Sequence, residues 1–189
     1  MSTSELDCYL LQNWKDLDAA TSAAFVLENA VYEALADEVR RWAEPREWSG
    51  VFSVDLIWLA PPEWTTKTGS RPTADASFQF GYHGPEDDSF DLTTLMGLNQ
   101  DVAGFDFHQN RVPAKLWKQK ATSPEMLAAL PGFSLQSAGL FHAFGLELSD
   151  IQEAAAAGDY SQVAKPVVDV LEHLEAAVPV ITEHLGARA

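Results

Sequence analysis

The chain reads as an α+β fold: an N-terminal helix, an antiparallel sheet of four or five strands, and C-terminal helices packed on one face. Three observations predict it. Apolar residues recur at helical spacing between Thr21 and Glu44, and again between Ser161 and Leu185. Between those stretches, short aromatic and β-branched runs alternate with polar residues. Gly and Pro punctuate these runs, and strands in direct succession favour an antiparallel meander over βαβ units. The length fits one domain spanning residues 1–189.

Residues 1–20 are mixed and turn-like, so they are expected to be a mobile segment, with Trp14 an anchor onto the body. The first helix is expected from Thr21 to Glu44. Ala24, Leu27, Val31, Leu35 and Trp42 make its stripe, Thr21 or Ser22 its cap, and Pro45 its stop. Its exposed face would carry Glu28, Asp37 and Arg41.

Val51 to Ala60 reads as one strand closed by Pro61-Pro62, with Phe52, Val54, Leu56 and Trp58 on one face. Thr65 to Thr73 reads as a loop. Phe78, Phe80 and Tyr82 alternate with Ser77, Gln79 and His83, the pattern of a half-buried strand. An acidic turn, Gly84 to Asp88, leads to a third strand expected over Phe90–Leu98. Phe105 and Phe107, alternating with Asp106 and His108, give a fourth.

Ser123-Pro124-Glu125 supplies a cap, a first-turn Pro and an acid for a short helix closed by Gly132. Phe133 to Leu148 reads as strand. A short alanine-rich helix ends at Gly158. The last helix carries Val167, Val170, Leu171, Leu174, Val178, Ile181 and Leu185 in one stripe, with a kink or break expected at Pro179.

Twenty-eight acidic residues stand against twelve basic ones, a formal charge of −16, in a chain that is 47% hydrophobic with six tryptophans. A disordered acidic tail would lack the aromatics, so the charge belongs to a folded surface. It opposes direct nucleic-acid binding, which needs a basic stripe, and steers basic partners toward the chain. Residues 101–150 are nearly neutral at −1, because Arg111, Lys115, Lys118 and Lys120 cluster around Trp117. That segment mixes bases with an aromatic, but it is read as a solvated or internally bridged loop. No apolar run approaches the ~20 residues of a membrane helix. The single Cys8 excludes an intramolecular disulfide and fits a reducing compartment. A cytoplasmic location is expected.

Strand alternation places Asp55, Gln79, His83, Asp106 and His108 on polar faces. If those strands are neighbours, His83, His108, Asp55 and Asp106 would form a set able to bind a divalent metal or move protons. The plainer reading is a solvated sheet face. No His-Glu-x-x-His, cysteine pair, calcium loop, Gly-x-Ser-x-Gly elbow or phosphate loop is present. Glu172-His173 and Glu183-His184 repeat on one helical face, with the two histidines ~16 Å apart by rise, too far to share a metal. They read as surface residues, and His142 reads as a satisfied core histidine. Of Trp48, Trp58 and Trp64, at least two are expected in the core.

Over residues 50–185, the order of aromatic strands, a Gly158-Asp159-Tyr160 turn and a terminal amphipathic helix resembles the C-terminal part of phage-borne proteins related to PD-(D/E)XK nucleases. The chain has no Glu-x-Lys or Asp-x-Lys triplet, so the catalytic lysine arrangement is missing and the resemblance assigns no family.

The function expected from these readings is binding without catalysis and without a cofactor. An acidic protein would occupy a basic, nucleic-acid-binding type of surface on a partner protein, as an inhibitor, antitoxin, immunity protein or phage anti-defence protein does. The expected contacts are Glu86, Asp87, Asp88 and Asp91, with Glu28 and Asp37. The alternatives are a metal-dependent enzyme or metal-binding protein at the His/Asp set, and an assembly protein whose terminal stripe is partly buried between copies in a homo-oligomer.

Overall fold

The computed structural model describes residues 3–66, 73–84, 91–136 and 139–186, with side chains from residue 8 onward. Its helices are α1 (Thr3–Gln12), α2 (Trp14–Ala43), α3 (Asp91–Leu95), α4 (Ala114–Ala121), α5 (Pro124–Ala129), α6 (Leu148–Ala157) and α7 (Val167–Leu185). Its strands are β1 (Ser49–Ser53), β2 (Leu56–Ala60), β3 (Thr65–Thr66), β4 (Thr73–Ala74), β5 (Ala76–His83), β6 (Val102–Gln109), β7 (Phe133–Gln136) and β8 (Gly139–Ala143). Six strands form one antiparallel sheet in the order β1-β2-β5-β6-β8-β7, and β3 and β4 pair separately. The α+β architecture is as the sequence predicts.

The sheet has six strands because two segments read as single strands each fold back on themselves. Val51–Ala60 is a hairpin whose two-residue turn is Val54-Asp55, with Ser53 opposite Leu56 and Phe52 opposite Ile57. The faces expected from unbroken alternation therefore do not hold beyond the turn: Phe52 shares its face with Ile57, not with Trp58. Phe133–Leu148 likewise splits into β7 and β8, which pair from Phe133 opposite His142 to Gln136 opposite Gly139. β5 and β6 match their expected alternation, pairing in register from Ala76 opposite Gln109 to His83 opposite Val102.

Helix α2 begins at Trp14, not Thr21, and α1 precedes it, so residues 3–20 are helical instead of turn-like. The run from Leu17 to Ala30 is dense in alanine and other good helix formers, and Thr21 and Ser22 are interior positions. Asn13 marks the joint between α1 and α2: its N–H donates to Tyr9 and Leu10, and its carbonyl accepts from Asp16 and Leu17. The expected strand at 90–98 is instead the single turn α3, which buries Leu92 and Leu95 at helical spacing. The basic segment after Arg111 is helical too, because Trp117 and Ala121 lie one turn apart on a buried face of α4.

Ser123 caps α5, its Oγ accepting from Met126 N at 3.2 Å. Gly158 closes α6 with φ +70°, a conformation that favours glycine. Helix α7 runs through Pro179 without a break, because its stripe is fully committed to the core. Among the described residues, no helix is long and apolar enough to cross a membrane.

The core lies between one sheet face and the helices. Val31, Leu35 and Val39 of α2 and Leu171, Leu174 and Ile181 of α7 are all fully buried with Phe78 and Phe105 of the sheet. Each such side chain stabilises the fold by ~1.5–3 kcal/mol through burial. Trp64, Phe78, Phe107 and Trp117 form a ring chain with centroids 5.0–5.6 Å apart. Trp48 and Trp64 are core residues, as expected of two of the three tryptophans, while Trp58 is half-buried. Arg46 lies over Trp42 at 4.4 Å and pairs with Glu172 and Glu175, tying the end of α2 to α7.

Candidate functional site

The sheet face away from the helices carries Gln79, Gly81 and His83 of β5, Gly104, Asp106 and His108 of β6, and Phe141 of β8. Asp106 stands opposite Gln79, yet its carboxylate leans over Gly81 to meet His83 Nε2 at 2.7 Å. A Cβ on Gly81 would stand 3.2 Å from Asp106 Oδ2, so the missing side chain leaves the path open. The Phe141 ring meets His83 edge-on at 4.8 Å and is fully buried, although it lies outside the main core. It is seated over Gly104, where a Cβ would fall 2.4 Å from the ring.

Of the four residues expected to converge, His83 and Asp106 do. His108 is exposed further along β6, opposite Ser77. Asp55 lies in the β1–β2 turn and not on a strand, because the hairpin reverses there. Among the described residues, no three His, Cys, Asp or Glu side chains group as a metal site would need. The pair that remains can orient an imidazole and exchange a proton.

Of the expected partner contacts, Glu86, Asp87 and Asp88 lie outside the described residues. Glu28 accepts a hydrogen bond from Leu92 N at 3.1 Å, so its carboxylate fixes the start of α3. Burial raises the Asp91 carboxyl above its ordinary range. Burial, then the charges of Asp91 and Glu28, push the Tyr32 phenol up as well, and its buried hydroxyl has no hydrogen-bond partner among the described residues. Asp37 pairs with Arg40 at 2.5 Å.

The four described arginines are all engaged internally. Arg40 donates to Asp37 and Phe52 O, Arg41 pairs with Glu38, Arg46 with Glu172 and Glu175, and Arg111 with Asp75. Lys120 donates to His184 O, so Arg111 and Lys120 of the basic segment are engaged internally, while Lys115 and Lys118 are exposed. Residues 121–164 contain no Lys or Arg and five acids. Asp150, Glu153 and Asp159 of that stretch line a cleft of about 490 Å³ beside α6, and no basic residue lines it. Hydrogen bonds from the Ser161 backbone and hydroxyl hold Asp159 below the usual carboxylate range, so it stays ionised. This acidic cleft was missed in the sequence, although the base-free stretch was its signal.

His142 is a buried, hydrogen-bonded core histidine, as expected, but its partner on α7 was not foreseen. His173 of α7 is exposed, as expected, yet its Nδ1 stands 3.1 Å from Nε2 of the buried His142. The α7 stripe is buried within the chain and not between copies. Among the described residues, exposed large apolar side chains include Tyr9, Leu11, Trp14, Phe25 and Val26 on α1 and the first half of α2, and others are scattered over the strands, loops and remaining helices, as at Val51, Leu98 and Leu116. Compared with protein-family models, with curated proteins and with solved structures, the chain gives no match.

Proposed function

We propose that the chain is a non-enzymatic acidic binding protein that occupies a basic surface of a partner protein, as an inhibitor, antitoxin, immunity or anti-defence protein does. The observation that carries this reading is the acidic cleft of Asp150, Glu153 and Asp159 beside α6, in a chain of charge −16 whose described arginines are internally paired. Such a cleft suits an inserted lysine or arginine, and the surrounding field speeds the encounter. Glu86, Asp87 and Asp88 remain proposed contacts on the same electrostatic ground. The single exposed Cys8 supports a cytoplasmic setting.

The test is capture of partners by the tagged protein from a nuclease-treated lysate of its source cells, washed at low and then high salt. One basic protein recovered stoichiometrically and released by salt supports the reading. Recovery that ignores salt counts against it.

The His83–Asp106 hydrogen bond favours a second reading, acid–base chemistry on the open sheet face. An activity lost in His83→Ala and kept in His108→Ala would establish it over the first.

A further inference from the structure

We propose that two copies of this chain pair through the end of α1 and the first half of α2, as an antiparallel helix pair. No described side chain from residue 8 to residue 30 is buried, whereas α2 is committed to the core from Val31 onward. The seam that enters the core nevertheless starts far earlier. Leu10, Trp14, Leu17, Thr21 and Ala24 recur at spacings of four and three, and the same alternation runs through Glu28 into the buried Val31 and Leu35. Such spacing keeps one stripe turned toward a neighbouring helix. Asn13 does not interrupt it: its N–H donates to Tyr9 O and its carbonyl accepts from Leu17 N, so helical bonding passes through the joint.

The occupant is a second copy because the seam complements itself. In an antiparallel pair centred near Ala19, Trp14 of each copy meets Ala24 of the other, and Leu17 meets Thr21. Large side chains then face small ones at each layer. Leu11 of one copy flanks the seam beside Phe25 of the other. A parallel pair would instead set Trp14 on Trp14 and Thr21 on Thr21. The two-fold arrangement closes at two copies.

Charge and area agree. Residues 8–27 hold one Lys and two Asp, a net of −1 within a chain of −16. Twelve residues separate the centre from Val31 on each copy, so antiparallel pairing holds the two acidic bodies about 35 Å apart at 1.5 Å per residue. That is several screening lengths at physiological salt. Trp14, Phe25 and Leu11 are 64%, 54% and 75% exposed, so at about 200 Å² per large side chain they offer about 400 Å² on each copy. Leu10, Leu17, Ala24 and the stems of polar neighbours bring a pair of copies to about 1,000 Å², where a specific but reversible interface begins. The proposal stands independently of the basic-partner reading.

The test is sedimentation equilibrium of the whole protein from about 1 to 100 μM, at low and high salt. The mass is expected to rise from one copy to two across that range and to keep doing so at high salt, unlike an electrostatic complex. Trp14→Asp with Leu17→Asp, at positions outside the core, is expected to stay monomeric with an unchanged circular dichroism spectrum. Asp18 meets its counterpart near the two-fold, so Asp18→Asn is expected to lower the midpoint concentration about twofold. A wild type that stays monomeric would overturn the proposal, and so would a dimer that survives in the Trp14/Leu17 variant. A monomer whose captured partner is lost in that variant would give the face to the partner and overturn it equally.

Discussion

Asp106 reaches across Gly81 to hydrogen-bond His83 at 2.7 Å, although strand register places Asp106 opposite Gln79. Gly81, with no side chain, leaves the carboxylate uncrowded. Gly81→Ala places a methyl 3.2 Å from Asp106 Oδ2 and is expected to displace the carboxylate by a few tenths of an ångström and weaken the pair. The proton shared by His83 and Asp106 should vanish from the histidine NMR spectrum. Asp106→Asn should cost under ~1 kcal/mol of stability, because both groups are partly solvated. A loss of several kcal/mol would assign the pair a structural role instead.

Trp64 is fully buried, and its Nε1 donates to Thr182 Oγ1 at 2.8 Å. This bond fixes the seating of α7 against the end of the sheet. Thr182→Val strands the indole N–H and should cost about 1–3 kcal/mol. Trp64→Ala should cost about 3–5 kcal/mol by opening a cavity. Denaturant unfolding of both variants checks the order.

Burial lowers the His142 pKa from its ordinary 6.5. The unfolded chain therefore binds this proton more readily than the folded one. Stability is fully present above pH 6.5 and declines as pH falls through and below that value, until the folded pKa is passed. In His142→Gln the drop in unfolding midpoint between pH 7.5 and 5.5 should shrink. An unchanged drop would show that His142 does not supply it.

The Tyr32 hydroxyl is buried without a hydrogen-bond partner among the described residues, near the Glu28 and Asp91 charges. Tyr32→Phe removes that desolvated group and should leave Tm unchanged or raise it. A fall of more than ~1 kcal/mol would show that the hydroxyl has a partner in solution.

Periodic segments were legible from the sequence. β5 and β6 alternate cleanly, α5 carries its cap and Pro, and the α7 stripe is continuous. Hairpins were not, because Val54-Asp55 lacks the Gly or Asn that marks a tight turn, and alternation continues through it. α3 was hidden because its five residues make little more than one helical turn, too short for a repeating stripe, and part of its stability comes from Glu28, sixty-four positions away. Half of the His/Asp set came together, since only register decides which diagonal neighbours touch. The His142–His173 pair was illegible because it joins a strand to a helix.

The most direct test is the rate at which the captured partner associates with wild type and with a variant carrying Asp150→Lys, Glu153→Lys and Asp159→Lys. These side chains are exposed, so the fold should persist. Association is expected to slow at least tenfold and to lose much of its salt dependence. Reversal of Glu63 and Glu125, away from the cleft, should slow it far less. Equal rates for wild type and the cleft variant would contradict a basic partner docking at α6.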